Sequence, residues 1–170
     1  MKKIMAIFSV LAAVFVFASC DDVLKEVAPK DTWIAEPIDY KVGSETVSLM
    51  CYLYYSDSGT KTPNNTTIDP GLTIVVRATT DAEAAKFFGA GITAEKYIIK
   101  KLPKDSKIGS SSVTINDTLW AGLGVVRNFS KKTTSTPECL SMAGYQEFGT
   151  FTESDWDGIL AKLILESIKK

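Results

Sequence analysis

The sequence predicts an α+β domain: an antiparallel sheet of four to five strands with a C-terminal helix packed on one face and one or two short helices. Three observations carry this reading. In residues 47–55 every odd position is apolar, the period of a strand with one face in a core. Residues 72–79 repeat that alternation. In residues 152–168, Trp156, Ile159, Leu160, Leu163 and Ile164 fall on one face at helical spacing.

In the first strand Val47, Leu49, Cys51, Leu53 and Tyr55 point inward, and Ser48, Met50, Tyr52, Tyr54 and Ser56 point outward. Residues 57–70 are rich in Ser, Gly, Thr, Asn and Pro and read as a long, mobile connection. In the second strand Leu72, Ile74, Val76 and Ala78 point inward, Thr73, Val75 and Arg77 outward, and the two strands pair as an antiparallel hairpin. Thr80 and Glu83 have capping-box spacing, so Asp81–Phe88 reads as a short helix stopped by Gly89.

Residues 94–102 fit either period. Thr93 as a cap and Lys100 and Lys101 at the far end weigh for a helix, with Pro103 beyond it, while Tyr97, Ile98 and Ile99 suit a strand. The helix is the reading adopted. Residues 111–116 and 119–129 read as two further strands joined near Asn116 and Asp117, and residues 131–137 as a polar loop. Thr152 or Ser154 starts the last helix. There is no internal repeat.

The first twenty residues have a different logic. Lys2 and Lys3 precede a run from Ile4 to Ala18 broken only by Ser9, a basic n-region and an apolar h-region. As a helix this run spans ~22 Å, short of the ~30 Å a membrane-crossing helix needs. Its end, Phe17-Ala18-Ser19-Cys20, resembles the lipobox of bacterial lipoprotein signal peptides. The resemblance covers residues 1–20. It implies attachment of diacylglycerol to the Cys20 thiol, cleavage before Cys20 and acylation of the new amine. Two or three acyl chains, at about 0.8 kcal/mol per buried methylene, anchor a protein stably. The expected organisation is therefore a signal peptide over 1–19, a lipidated tether over 20–32 opening with Asp21 and Asp22, and a single domain over 33–170. The expected address is the bacterial cell envelope, on a periplasmic leaflet or the outer-membrane surface.

Removal of residues 1–19 takes away Lys2 and Lys3, leaving seventeen basic side chains against twenty acidic ones, a net charge of −3. That balance gives no general attraction to polyanions, so nucleic acid is not an expected partner. The chain has no histidine, which eliminates Ser-His-Asp and Cys-His catalysis and histidine-based zinc or haem sites. With Cys20 lipidated, Cys51 and Cys139 are too few for a thiolate zinc site and too far apart for a CxxC redox pair. An oxidising envelope would allow a disulfide between them, closing an 89-residue loop worth about 4 to 5 kcal/mol. A free buried cysteine in a strand is the other reading of Cys51.

Glu153, Asp155, Asp157 and Gly158 match the opening positions of a calcium-binding EF-hand loop, but the twelfth position falls at Ile164, which offers no oxygen. Acids at a helix start are favoured by the macrodipole in any case. No metal and no cofactor is expected. Gly122-Leu123-Gly124 lacks the remainder of a dinucleotide or phosphate loop, and the S-x-x-K spacing of Ser167 and Lys170 lacks its companion motifs. Trp33, Tyr40 and Trp120 read as core or tether-docking residues. Met50, Tyr52 and Tyr54 form the one candidate binding surface, an aromatic strip that would stack sugars or grip a protein unless a helix covers it. The function expected is thus a non-catalytic, envelope-anchored module that binds a protein, glycan or small ligand. The alternatives are a carboxylate-dependent hydrolase of envelope polymers and a structural or assembly role.

Overall fold

The two period-two segments lie side by side at the centre of a computed structural model that describes residues 28–169. Cys20, the signal peptide and most of the tether lie outside the described residues. Strands β1 (Trp33–Val42), β2 (Glu45–Ser56), β5 (Gly71–Ala78) and β6 (Lys96–Pro103) form an antiparallel meander, and two-residue strands β7 (Thr133–Thr134) and β8 (Gln146–Glu147) border it in the order β7-β1-β2-β5-β6-β8. The fold is α+β. The sheet has six strands rather than four or five and is mixed, because β8 runs parallel to β6. The expected hairpin holds, with Cys51 opposite Val76 and Leu53 opposite Ile74.

Helices α1 (Asp81–Phe88), α2 (Asp117–Arg127) and α3, which starts at Glu153–Leu160, pack on the face that carries the inward residues. Thr80 accepts from the amide of Glu83 and the amide of Gly89 closes α1 onto Ala85, as the sequence predicts. Glu83 does not complete the capping box; its carboxylate accepts from the amide of Ser48 and ties the helix to β2. Thr152 and Asp155 do form a reciprocal box at the start of α3. All five apolar residues expected on the face of α3 are buried. After Leu160 the helix widens into a π-type segment, Ala161–Leu165, before a last turn, Glu166–Ile168. No helix among the described residues is long and apolar enough to cross a membrane.

Several expectations are corrected. Residues 96–103 form a strand, not a helix, because Tyr97 and Ile98 are both buried, one on each face of the sheet. Residues 117–127 form a helix, not a strand. Asn116 accepts from the amide of Leu119, Asn128 closes the end in a left-handed conformation, and Trp120 and Leu123 bury one side. The β-branched Val125 and Val126 that favour a strand lie on the solvent side. Residues 111–116 contribute only an isolated bridge, Thr114 to Lys107. The connection over 57–70 carries a small hairpin of β3 (Thr60–Lys61) and β4 (Thr67–Ile68), with Ile68 buried. Strand β1 is absent from the sequence reading for two reasons: Glu36 breaks its inward apolar series of Ile34 and Ile38, and Pro37 argues against a strand. Pro37 is accommodated because β7 pairs only with Trp33 and Ile34, which leaves that stretch of β1 an open edge.

The described chain opens with buried Ala28, whose carbonyl accepts from the Trp120 indole at 3.1 Å. Trp120 stacks on Tyr55, with ring centroids 5.6 Å apart, and packs against Phe129. Phe87, Phe88, Phe148 and Phe151 extend the same core beside Trp156.

Candidate functional site

The outer face of the sheet, opposite the helices, carries Met50, Tyr52 and Tyr54, and the structure divides them. Tyr54 is buried against Trp33, with ring centroids 4.9 Å apart, beneath Ile68, Cys139 and Leu140. Met50 and Tyr52 remain half-buried. The cover is not the C-terminal helix. It is the β3–β4 hairpin and the segment that follows β7, which includes a 3-10 turn at Glu138–Leu140.

Within this face lies Arg77, opposite Met50 on β2 and Tyr97 on β6. Its side chain is 21% exposed. Nη1 donates to the Tyr145 hydroxyl at 3.1 Å, and the guanidinium lies 5.5 Å from the Tyr145 ring centroid, a cation–π distance. Tyr145 in turn donates to Glu138 at 3.1 Å, while Glu138 itself comes no closer to Arg77 than 4.0 Å and is well exposed. The buried Nε has no partner among the described residues. Burial raises the Tyr52 phenol above its ordinary pKa, opposed by the neighbouring Arg77 charge. No motif or spacing in the sequence marks Arg77, Tyr145 or Glu138 as site residues. The available signal was the expected hairpin, which already places Arg77 on the same face as Met50 and Tyr52.

Cys51 and Cys139 are not bonded. Both thiols are free and buried, Cys51 in the core beneath the helices and Cys139 in the cluster on the outer face. The sheet separates them, so no side-chain rotation can join them. Burial pushes the Cys139 thiol up to about 11, and Arg77 partly opposes the shift. Burial raises Cys51 further, with the charge of Glu36 adding to it. Neither thiol is a ready nucleophile.

Asp57 and Asp117 are two carboxylates brought together through shared lysines. Lys30 reaches Asp57 at 2.8 Å and Asp117 at 2.9 Å, and Lys104 pairs with both. The Tyr55 hydroxyl donates to Asp117 at 2.7 Å. Hydrogen bonds from Lys104 and Lys30 hold Asp57 below the usual carboxylate range, and those from Tyr55 and Lys30 do the same for Asp117. A carboxylate pair working as acid and base needs one member raised, and here both are lowered.

The calcium-loop resemblance ends in helix α3. Asp155 caps Thr152, Glu153 pairs with Lys100, and Gly158 makes room for Tyr40, whose hydroxyl lies 2.2 Å from where a Cβ would stand. Among the described residues no group of three metal-ligating side chains comes together.

No protein-family model, curated protein or solved structure matches this chain.

A groove of about 630 Å³ runs beside α2 between Val113, Leu119, Leu123, Val126 and Ile168. A smaller one, of about 330 Å³, opens over the ion group of Glu36, Arg127 and Lys132. In that group Arg127 donates to Glu36 at 2.6 Å, to the carbonyls of Lys162 and Leu163, and to Ser167, so each guanidinium nitrogen is engaged. These carbonyls belong to the π-type segment, and Arg127 supplies donors where the helical ladder is altered.

Proposed function

We propose that this chain is an envelope lipoprotein, lipidated on Cys20, whose domain is a non-catalytic binding module working through the outer face of its sheet. The observation that carries the binding role is Arg77: a mostly buried cation with an unpartnered Nε, set among half-buried Met50, Tyr52 and Tyr145. Its charge is met at 4.0 Å by the exposed Glu138, a looser pairing than that of Arg127 with Glu36 at 2.6 Å. The lipobox resemblance supports the anchor, and the partner at the other end of the tether is the membrane.

Two measurements test the two halves. Cys20→Ser should abolish palmitate labelling and globomycin-sensitive processing; labelling that persists unchanged would refute the anchor. A photo-crosslinking residue placed at Met50 should capture a ligand in intact cells, whereas the same residue at Val125, exposed on α2, should not. Equal capture at both positions, or capture at neither, would refute the binding face.

A further inference from the structure

Two helix ends meet at one place on the domain. Arg127, at the end of α2, donates to the carbonyls of Lys162 and Leu163 and to Ser167, which fastens it to the last turns of α3. The groove beside α2 runs along this junction, and Val126 and Ile168 stand on its rim, 51% and 50% exposed. They are two of the four large apolar side chains exposed among the described residues. Val125 lies about 100° further round the helix and does not line the groove.

The junction is also the basic end of an acidic molecule. Residues 125–132 and 161–169 carry Arg127, Lys131, Lys132, Lys162 and Lys169 against a single acid, Glu166. The buried Glu36 answers only one charge of the two on Arg127 and Lys132. Outside this group, the chain from residue 20 onward has twelve basic against eighteen acidic side chains, so the cations are concentrated here. Lys131 and Lys169 are exposed. An apolar rim ringed by cations suits an anionic lipid surface, where apolar burial and charge attraction add.

The entry of the chain allows this contact. Ala28 is held by Trp120 of α2, and Cys20 lies eight residues before it, a reach of at most ~29 Å. Helix α2 is only ~16 Å long, so a lipid on Cys20 keeps either end of it within reach of the bilayer. The helices lie on the opposite face of the sheet from Met50 and Tyr52, and the contact leaves that outer face open.

Resting on the lipid anchor proposed above, we infer that the joined ends of α2 and α3 dock on the anionic surface of the bilayer that holds the anchor. Val126 and Ile168 enter its headgroup region, and Lys131 and Lys169 meet lipid phosphates.

The test uses the lipidated full chain in vesicles of phosphatidylcholine, with or without phosphatidylglycerol, each containing a lipid with a nitroxide on its headgroup. A bimane fluorophore is attached to Val126→Cys, Ile168→Cys or, on the outer-face hairpin, Thr60→Cys; Cys51 and Cys139 are buried and stay unlabelled. In the anionic vesicles, quenching at positions 126 and 168 should be at least about threefold that at position 60. It should fall toward the position-60 level in neutral vesicles, in high salt and in the Lys131→Glu, Lys169→Glu double variant. That variant changes only exposed side chains and should melt as the parent does. Quenching at position 60 as strong as at 126 and 168, or quenching indifferent to lipid charge, would overturn the inference; the lipid comparison requires no charge variant. Flotation of the vesicles separates the two readings. Protein that floats without position-dependent quenching keeps its anchor and loses this surface, whereas protein that does not float refutes both.

Discussion

Glu36 carries one negative charge for two cations. It is 5% exposed, accepts from Arg127 at 2.6 Å and Lys132 at 2.5 Å, and occupies an inward position of β1 that an isoleucine would fill. Removing one partner of a buried pair leaves the other as an uncompensated charge, which costs about 3 to 5 kcal/mol. Glu36→Ala should therefore lower unfolding stability by roughly that amount in urea titration. A loss under about 1 kcal/mol would mean the pair is effectively solvated, as exposed pairs are. From the sequence Glu36 only spoils an apolar alternation, because its partners arrive from 91 and 96 residues away. Arg77 is the opposite case at the same scale. The sequence places it on the correct face, but its incomplete pairing depends on how closely Glu138 approaches, which no local pattern encodes.

At the scale of elements, α2 shows how a local signal is misread. Val125 and Val126 have strand propensity, and Asn116 with Asp117 resembles a turn. The same asparagine is an N-cap, and Trp120 and Leu123 supply the apolar side of a helix. Asn116→Ala should cost about 1 kcal/mol, the usual worth of such a cap, read from the shift in urea midpoint at constant slope. A change within a few tenths would show that packing of Trp120, not the cap, sets the helix start. Helices α1 and α3 are legible because their caps and their apolar faces agree, with no competing turn or strand pattern. Strand β6 carries no alternating strand signature in the sequence because its buried residues lie on both faces, which removes the alternation that marks a strand.

Across the whole molecule, Lys30, Asp57, Lys104 and Asp117 join four separate stretches: the entering chain, the end of β2, the end of β6 and the start of α2. Asp57 and Asp117 have folded pKa values below the ordinary 3.8. Groups depressed in the folded state stabilise it fully above their unfolded pKa, and that contribution is lost as pH falls through the folded value. The melting temperature should therefore fall as pH drops from 5 toward 2, and fall less steeply in an Asp57→Asn, Asp117→Asn double variant. Parallel curves would show that these pairs add nothing, which is the outcome for many exposed ion pairs.

The sequence by itself determined the α+β class, the central β2–β5 pairing, helices α1 and α3 with their caps, and the outward placement of Met50, Tyr52 and Arg77. Each of these rests on contacts within a few residues or on a period repeated several times, so the chain states them locally. Only the tertiary structure decided that Cys51 and Cys139 lie on opposite faces of the sheet, that Tyr54 is roofed while Tyr52 stays half-open, and that one arginine is saturated while the other is not. Those outcomes depend on segments distant in sequence meeting across a face. Burial and charge compensation are set by such meetings, and the order of residues along the chain does not record them.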